Sequence, residues 1–149
     1  MTFISVTRLR VRSLVYLPPF VWRTLQSLRQ AERAPGFMCG KLLREAKNAF
    51  WTMTAWEDDA TMNAFRASGA HRAAMPKLLD WCDEASVVHW NQETLELPTW
   101  LEAHRRMVKD GKPSKVHHPS PAQVANQIPA PKPSRIEQTL RPAWPSEVH

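Results

Sequence analysis

AFWTMTAWEDDATMNAFRASGAHRAAM, residues 49–75, is the stretch that decides the fold of this chain. Trp51, Met53 and Ala55 alternate with the threonines at 52 and 54 within residues 49–56, and this period of two predicts a strand with two different faces. The acidic run at residues 57–59 follows directly. Carboxylates favour a helix start, because they accept hydrogen bonds from its unpaired amides and complement its dipole. The stretch therefore predicts a strand that leads straight into a helix.

Apolar periodicity and helix start and stop signals on both sides of this stretch predict the order of the remaining strands and helices. A ferredoxin-like βαββαβ order results, which predicts an α+β fold with an antiparallel sheet. A second helical piece is expected after the break at Ser68-Gly69, kinked or begun afresh near Pro76. The predicted elements are strand Thr2–Val11, a helix from Pro18-Pro19 with the stripe Val21, Leu25 and Leu28 that stops at Ala34-Pro35-Gly36, strand Phe37–Leu43, strand Ala49–Trp56, a helix with Met62 and Phe65 buried, helix Ala70–Cys82, and strand Ala85–Asn91.

Both faces of the first and third strands carry large apolar groups. Two helices cover one face of such a sheet and leave the other bare. A second copy of the sheet is the simplest cover, because one self-complementary contact hides both bare faces. The sequence therefore predicts a homodimer in which two sheets form a dimeric α+β barrel.

Length and charge bound the remaining possibilities. The 149 residues are expected to divide into a barrel domain over residues 1–93, a docking helix within 94–112 and a Pro-rich tail, extended or partly disordered, over 113–149. The net charge of +6 comes without any nucleic-acid recognition motif, so no nucleic-acid partner is expected. Cys39 and Cys82 lack ligand spacing and are expected to be reduced thiols. No apolar run is long enough to span a membrane, which favours a cytoplasmic protein.

The pattern Ala34-Pro35-Gly36-Phe37, the strand end Trp56-Glu57-Asp58, and Met62, Phe65, Ser68 and His71 resemble the dimeric α+β barrel superfamily of the antibiotic biosynthesis monooxygenase type. The resemblance covers residues 2–92. It implies a homodimer with a pocket between sheet and helices. Members of this superfamily include cofactor-free oxygenases acting on polyphenolic rings, heme-degrading enzymes and proteins of no known activity.

The heme-degrading branch uses an asparagine, a tryptophan and an iron-binding histidine, and these fall at Thr7, Phe65 and Met75 in this chain. None of the three is kept. His71 lies one helical turn before Met75, on the same face, and is the alternative axial ligand if the helix is shifted. No cofactor is expected, and heme bound through His71 is the alternative.

Cofactor-free oxygenation requires a base and a group that stabilises negative charge. His71 or His89 is the candidate base, because imidazole titrates near neutrality, and Arg72 is the candidate partner for the anion. The remaining predicted pocket residues are Thr7, Trp51 and Phe65.

The sequence predicts a small oxygenase acting on a planar hydrophobic aromatic or polyene substrate. His71 is expected to point into the cavity. His89 alternates with Val88 and Trp90 on a strand, where a buried, hydrogen-bonded histidine is ordinary. The alternative is a non-catalytic member of the same fold that binds a small hydrophobic ligand or a protein partner.

Overall fold

A computed structural model describes residues 1–132 and 136–143 of the chain. Short 3₁₀ turns occupy Leu14–Tyr16 and Ala46–Asn48. The predicted βαββαβ order is confirmed, and further elements follow it. In chain order they are β1 (Thr2–Val11), α1 (Leu17–Arg33), β2 (Phe37–Arg44), β3 (Ala49–Trp56), α2 (Asp59–Arg66), α3 (Gly69–Trp81), β4 (Cys82–Gln92), α4 (Trp100–Asp110), β5 (Lys112–Pro113), α5 (Pro121–Val124) and β6 (Glu137–Leu140).

The strands form one antiparallel sheet in the order β5-β4-β1-β3-β2-β6. β1 is central, with Ser5 opposite Thr54 of β3 on one side and opposite His89 of β4 on the other. The two outer strands come from the C-terminal part of the chain and extend the four-stranded sheet at both edges. The α+β, ferredoxin-like fold expected from the sequence is therefore present.

Helices α1, α2 and α3 lie on one face of the sheet. Prolines occupy the first turn of α1, where their missing N–H groups cost nothing, and Phe20, Leu28 and Ala31 form its buried face. Leu25, expected in this stripe, is 38% exposed. Gly36 follows α1 with φ +84°, and a Cβ there would lie 2.6 Å from the side chain of Thr61. This turn therefore requires glycine.

Asp58 is the N-cap of α2, because its side chain accepts a hydrogen bond of 2.8 Å from the amide of Thr61. The acidic helix start is confirmed. The break between α2 and α3 is also present, and α3 starts at Gly69 with φ +58°. A second helix start at Pro76 is absent, since Pro76 lies within one continuous helix. β4 begins at Cys82, three residues earlier than predicted.

The opposite face of the sheet was expected to be bare and to be covered by a second copy of the chain. This expectation is wrong, because the chain covers that face itself. Ile4, Val6 and Met53 are fully buried on this face within a single chain. Ala103 and Met107 of α4 pack against them. The docking helix predicted within residues 94–112 therefore packs on the domain, and it covers the surface that a second sheet was expected to cover.

The C-terminal segment, defined here as residues 112–132 and 136–143, continues this cover. The imidazole of His104 in α4 contacts the carbonyl oxygen of Ile128 at 2.8 Å, and the amide of Lys132 donates to Glu45 over 2.8 Å. β6 pairs with β2, where Leu140 is buried. Of the other large apolar residues in the Pro-rich tail, Ile128 is half-buried, Ile136 is exposed, and Trp144 lies outside the described residues.

A buried ionic cluster joins the C-terminal segment to the sheet. Glu84 accepts hydrogen bonds from Arg8, Arg10 and Ser120 over 2.7, 2.7 and 2.8 Å. Burial opposes ionisation of Glu84, but these three donors outweigh it and lower the pKa of the carboxyl. The cluster therefore holds an ionised carboxylate beneath the segment.

Both cysteines are free. Burial raises the pKa of the Cys82 thiol to about 12, so this thiol is protonated at neutral pH. Within the described ranges, none of the helices combines the length and apolar character of a membrane span. Nor do the described residues bring three or more His, Cys, Asp or Glu side chains together as a metal site.

Candidate functional site

A cavity of about 220 Å³ lies between the sheet and helices α1, α2 and α3. Its floor carries four hydroxyl side chains of β1 and β3 that are paired across the strands, beside the apolar side chains of Leu9, Ala85 and Val87. Ser5 lies opposite Thr54, and Thr7 lies opposite Thr52. All four point to the same face, because side chains two residues apart share a face of a strand. The floor is therefore polar in its β1 and β3 part, although the cavity lies between the two layers of the fold.

The roof of the cavity is more apolar than its floor. Ser27 adds a further hydroxyl from α1, while Leu28, Met62 and Phe65 supply apolar surface. Phe65 packs on the indole of Trp56, with ring centroids 5.1 Å apart. A planar ring between floor and roof would meet hydroxyls on one side and aromatic or aliphatic carbon on the other.

His71, in the first turn of α3, lines this cavity as expected from the sequence. Its Nδ1 lies 3.2 Å from the carbonyl oxygen of Arg66. A carbonyl can only accept a hydrogen bond, so Nδ1 carries the proton and Nε2 of the neutral ring keeps its lone pair. Nε2 has no hydrogen-bonding partner in the part of the chain that the structure describes. This is the arrangement that a general base requires.

Burial lowers the pKa of His71. The bond to the Arg66 carbonyl acts in the opposite direction, and the positive charge of Arg66 lowers the pKa further. The imidazole is therefore neutral at pH 7 and able to accept a proton.

His89, on β4, lines the same cavity from the sheet side. Its ring contacts Phe3 at a centroid distance of 5.3 Å. Burial lowers the pKa of His89, and the positive charges of Arg66 and Lys112 lower it further. Two neutral imidazoles thus border one cavity, one from the helices and one from the sheet.

Arg66 is the cationic residue at this site, and the sequence did not indicate it. Its side chain is exposed and lines the mouth of the cavity, close enough to act on both histidines. Arg72, the expected partner for an anion, is exposed on α3 and does not border the cavity. It follows His71 by one residue, so it is rotated about 100° around the helix.

Trp51 is also placed differently from the expectation. It lies on the opposite face of the sheet, where its indole N–H donates to Glu45 over 2.8 Å and its ring contacts His104. Thr52 and Thr54 face the cavity instead, because β3 presents alternate residues to its two sides. The structure therefore brings Thr7, Phe65, His71 and His89 together and separates Trp51 and Arg72 from them.

Heme does not fit this cavity. Sites for drug-sized ligands usually enclose about 300–1,000 Å³, and a porphyrin is larger than most such ligands. A cavity of about 220 Å³ would hold only one edge of it. The positions equivalent to the heme-degrading residues hold Thr7, Phe65 and Met75, none of which matches that branch.

With this geometry established, comparison with known proteins gives one family. The family described as "Domain of unknown function (DUF3291)" matches residues 14–115, from the turn before α1 to just beyond β5. The chain belongs to this family. No curated protein matches it. Because the DUF3291 match extends through α4, the helix that covers the second face of the sheet lies within the family region.

Solved structures show the fold to be that of the antibiotic biosynthesis monooxygenases. A Nitrosomonas europaea protein, provisionally described as such a monooxygenase, is 18% identical, with a TM-score of 0.57 over 63% of this chain and 92% of that one. SnoaB from Streptomyces nogalater, a cofactor-independent oxygenase, is 20% identical, with a TM-score of 0.52 over 63% and 96%. Rv0793 from Mycobacterium tuberculosis is 8% identical, with a TM-score of 0.57 over 63% and 97%. More than a third of this DUF3291 chain lies outside these alignments.

Proposed function

We propose that this DUF3291 protein is a small, cofactor-free, monooxygenase-like enzyme that binds a planar aromatic substrate in the cavity. The observation that carries the proposal is a neutral His71 at a hydroxyl-lined cavity, with Nδ1 held as the donor and Nε2 left to accept a proton. The fold shared with a cofactor-independent oxygenase supports the reaction class. The hydroxyl groups of the floor favour an oxygenated ring over a hydrocarbon polyene, because an apolar ligand that covers a hydroxyl removes its water without replacing the hydrogen bond.

The chemistry follows from these groups. A phenolic substrate transfers its hydroxyl proton to Nε2 of His71, and the electron pair left on the ring reduces molecular oxygen. One oxygen atom is added to a ring carbon and the other leaves as water, so that the phenol and O₂ give a quinone and water. His89 is the second candidate base.

Arg66 takes the role expected of Arg72. Its guanidinium at the mouth of the cavity stabilises the phenolate that forms on proton transfer, since an opposite charge favours the anion. The same charge lowers the pKa of both histidines, and therefore keeps them in the neutral form that the reaction needs.

A second candidate function is binding without catalysis. The cavity of about 220 Å³ is smaller than the usual range for drug-sized ligands. A small hydrophobic ligand would fill it and leave little space for oxygen beside the ring. In this second function the protein binds the same class of ligand but does not oxidise it.

The homodimer and the cytoplasmic location stay predictions. A sheet-to-sheet dimer would require displacement of α4, because Ala103 and Met107 occupy the surface it would use. A dimer of the chain as described would form through another surface.

Oxygen consumption in the presence of 1-naphthol tests the proposed reaction. We expect the wild-type protein to accelerate oxygen uptake, and His71→Gln to abolish the acceleration. Arg66→Gln should lower it, while Arg72→Gln, which changes an exposed arginine outside the cavity, serves as the matched control. Saturable naphthol binding without oxygen uptake by the wild type would reject catalysis and favour the binding function.

A further inference from the structure

Gln30 of α1 holds both sides of the break between α2 and α3. Its side-chain amide nitrogen donates to the carbonyl oxygens of Phe65 and Ser68 over 3.1 and 2.8 Å. Its side-chain oxygen accepts from the backbone amide of His71 over 2.8 Å. One side chain thus satisfies backbone groups at the end of α2 and in the first turn of α3.

The packing around this side chain is close. A Cβ at Gly69 would lie 3.0 Å from Cδ of Gln30, and Gly69 has φ +58°, a conformation that favours glycine. The backbone of the break therefore approaches the amide of Gln30 directly. The carbonyls of Phe65 and Ser68 also accept from backbone amides, over 3.2 and 3.3 Å. The amide of His71 lies in the first turn of α3, where an amide has no partner within its helix, and Gln30 supplies that partner.

We propose that Gln30 is a positioning residue that orients the His71 ring so that Nε2 is presented to the cavity. The proposal rests on the proposed function of His71 as the base. His71 has two attachments outside α3: its backbone amide bonds to Gln30 of α1, and its Nδ1 bonds across the break to the carbonyl oxygen of Arg66. The bond from Nδ1 to Arg66 forms only if α2 and α3 keep their relative positions. Gln30 holds those positions, because it bonds to the end of α2 and to the first turn of α3.

The neighbouring residue Gln26 provides a matched control. It lies one turn earlier on α1 and borders the same outer groove as Gln30, between α1 and α2. No hydrogen bond of its side chain is found among the described residues. Gln30→Met and Gln26→Met therefore make the same chemical change on the same helix, and only the first removes bonds to the break.

The test is a proton-NMR titration of the ring signals of His71 in the wild type and both variants, assigned by means of His71→Gln. Arg66 and His89 are the other charged or titratable groups that line the cavity beside it, and neither is changed. We expect Gln30→Met to move the pKa of His71 up toward its ordinary value and to lose the ring contact with Phe65. We expect Gln26→Met to leave both as in the wild type.

An unchanged His71 pKa and an unchanged ring contact in folded Gln30→Met would overturn the proposal. If that variant does not fold, Gln30→Glu is examined through the ring contact with Phe65 alone, because it keeps the acceptor for the His71 amide but loses the donors to the two carbonyls. The pKa of His71 is not compared in Gln30→Glu, since the added negative charge raises that pKa by itself. This titration needs no substrate. A failed naphthol assay with a shifted His71 in Gln30→Met would reject the enzyme function and retain the positioning role.

Discussion

The rings of Phe65 and His71 lie with centroids 4.8 Å apart across the break between α2 and α3. Phe65 thereby shields the imidazole, and burial is the main cause of the lowered pKa of His71. Phe65→Leu should raise that pKa toward the ordinary value, as measured by NMR titration. Phe37→Leu is the control, because Phe37 packs edge-on against Trp56 in the same cluster. Equal pKa values of His71 in both variants would contradict the shielding role.

Stability should fall as the pH falls, because two histidines have lowered pKa values in the folded state. The unfolded chain binds these protons near pH 6.5, whereas the folded protein binds them only at lower pH. Their contribution is therefore complete above about pH 6.5 and is lost as the pH falls through the folded-state values. Chemical denaturation at pH 7.5 and pH 5 measures this, and the variant with both His71→Gln and His89→Gln should show a smaller difference. If the free energy of unfolding changes between pH 7.5 and pH 5 by the same amount in that variant as in the wild type, groups other than these two histidines cause the pH dependence.

Asp58→Ala should destabilise the protein by about 0.5–2 kcal/mol, because it removes the hydrogen bond that caps α2. Asp59→Ala is the matched control, since Asp59 lies in the first turn but is not the N-cap. Urea denaturation of both variants compares the two positions. A loss at Asp59 as large as that at Asp58 would show that general charge at the helix start matters more than the cap.

Glu84→Ala should cost about 3–5 kcal/mol, because removing one partner of a buried ion pair leaves the guanidinium of Arg8 uncompensated. Ser120→Ala removes only one donor to the same carboxylate and should cost about 1.5–3 kcal/mol, as for hydrogen bonds to charged groups. Equilibrium unfolding gives both values. A Ser120 effect equal to that of Glu84 would mean that the attachment of the C-terminal segment, rather than the ion pair, dominates.

Met107→Glu should make the protein self-associate. The substitution places a carboxylate against Ile4, Val6 and Met53, which favours detachment of α4 and exposes an apolar sheet face. Sedimentation equilibrium should show larger species for the variant than for the wild type. A wild-type dimer that Met107→Glu leaves intact would place the contact outside the face covered by α4.

The fold was predictable because its signals are local. Alternation along β1 and β3, prolines at the start of α1 and the acidic cap Asp58 each act within a few residues. The position of His71 beside the cavity was predictable for the same reason, since the break at Ser68-Gly69 lies just before it in the chain. Which alternate residues of β3 face the cavity was not predictable, because both faces of this strand are rich in apolar residues. Trp51 was therefore assigned to the wrong face.

The missed features depend on contacts between distant residues. Arg66 reaches the cavity because of the turn between two helices, and no local pattern records where that turn directs its side chain. Gln30 meets His71 from another helix, 41 positions earlier in the chain. The covering role of α4 was missed because its apolar residues predict docking without naming the surface. Pro76 was expected to kink the helix or to start a new one. It lies inside one continuous helix, α3, which packs against α1.

The C-terminal cover of the sheet also has a consequence for synthesis on the ribosome. β1 to β4 are complete at residue 92, but the helix and segment that cover their second face lie beyond it. A nascent chain of that length exposes Ile4, Val6 and Met53 to the solvent until about forty more residues have emerged, roughly 2–8 s at usual translation speeds. Chaperone demand should therefore peak in this interval, before the last strand joins the edge of the sheet.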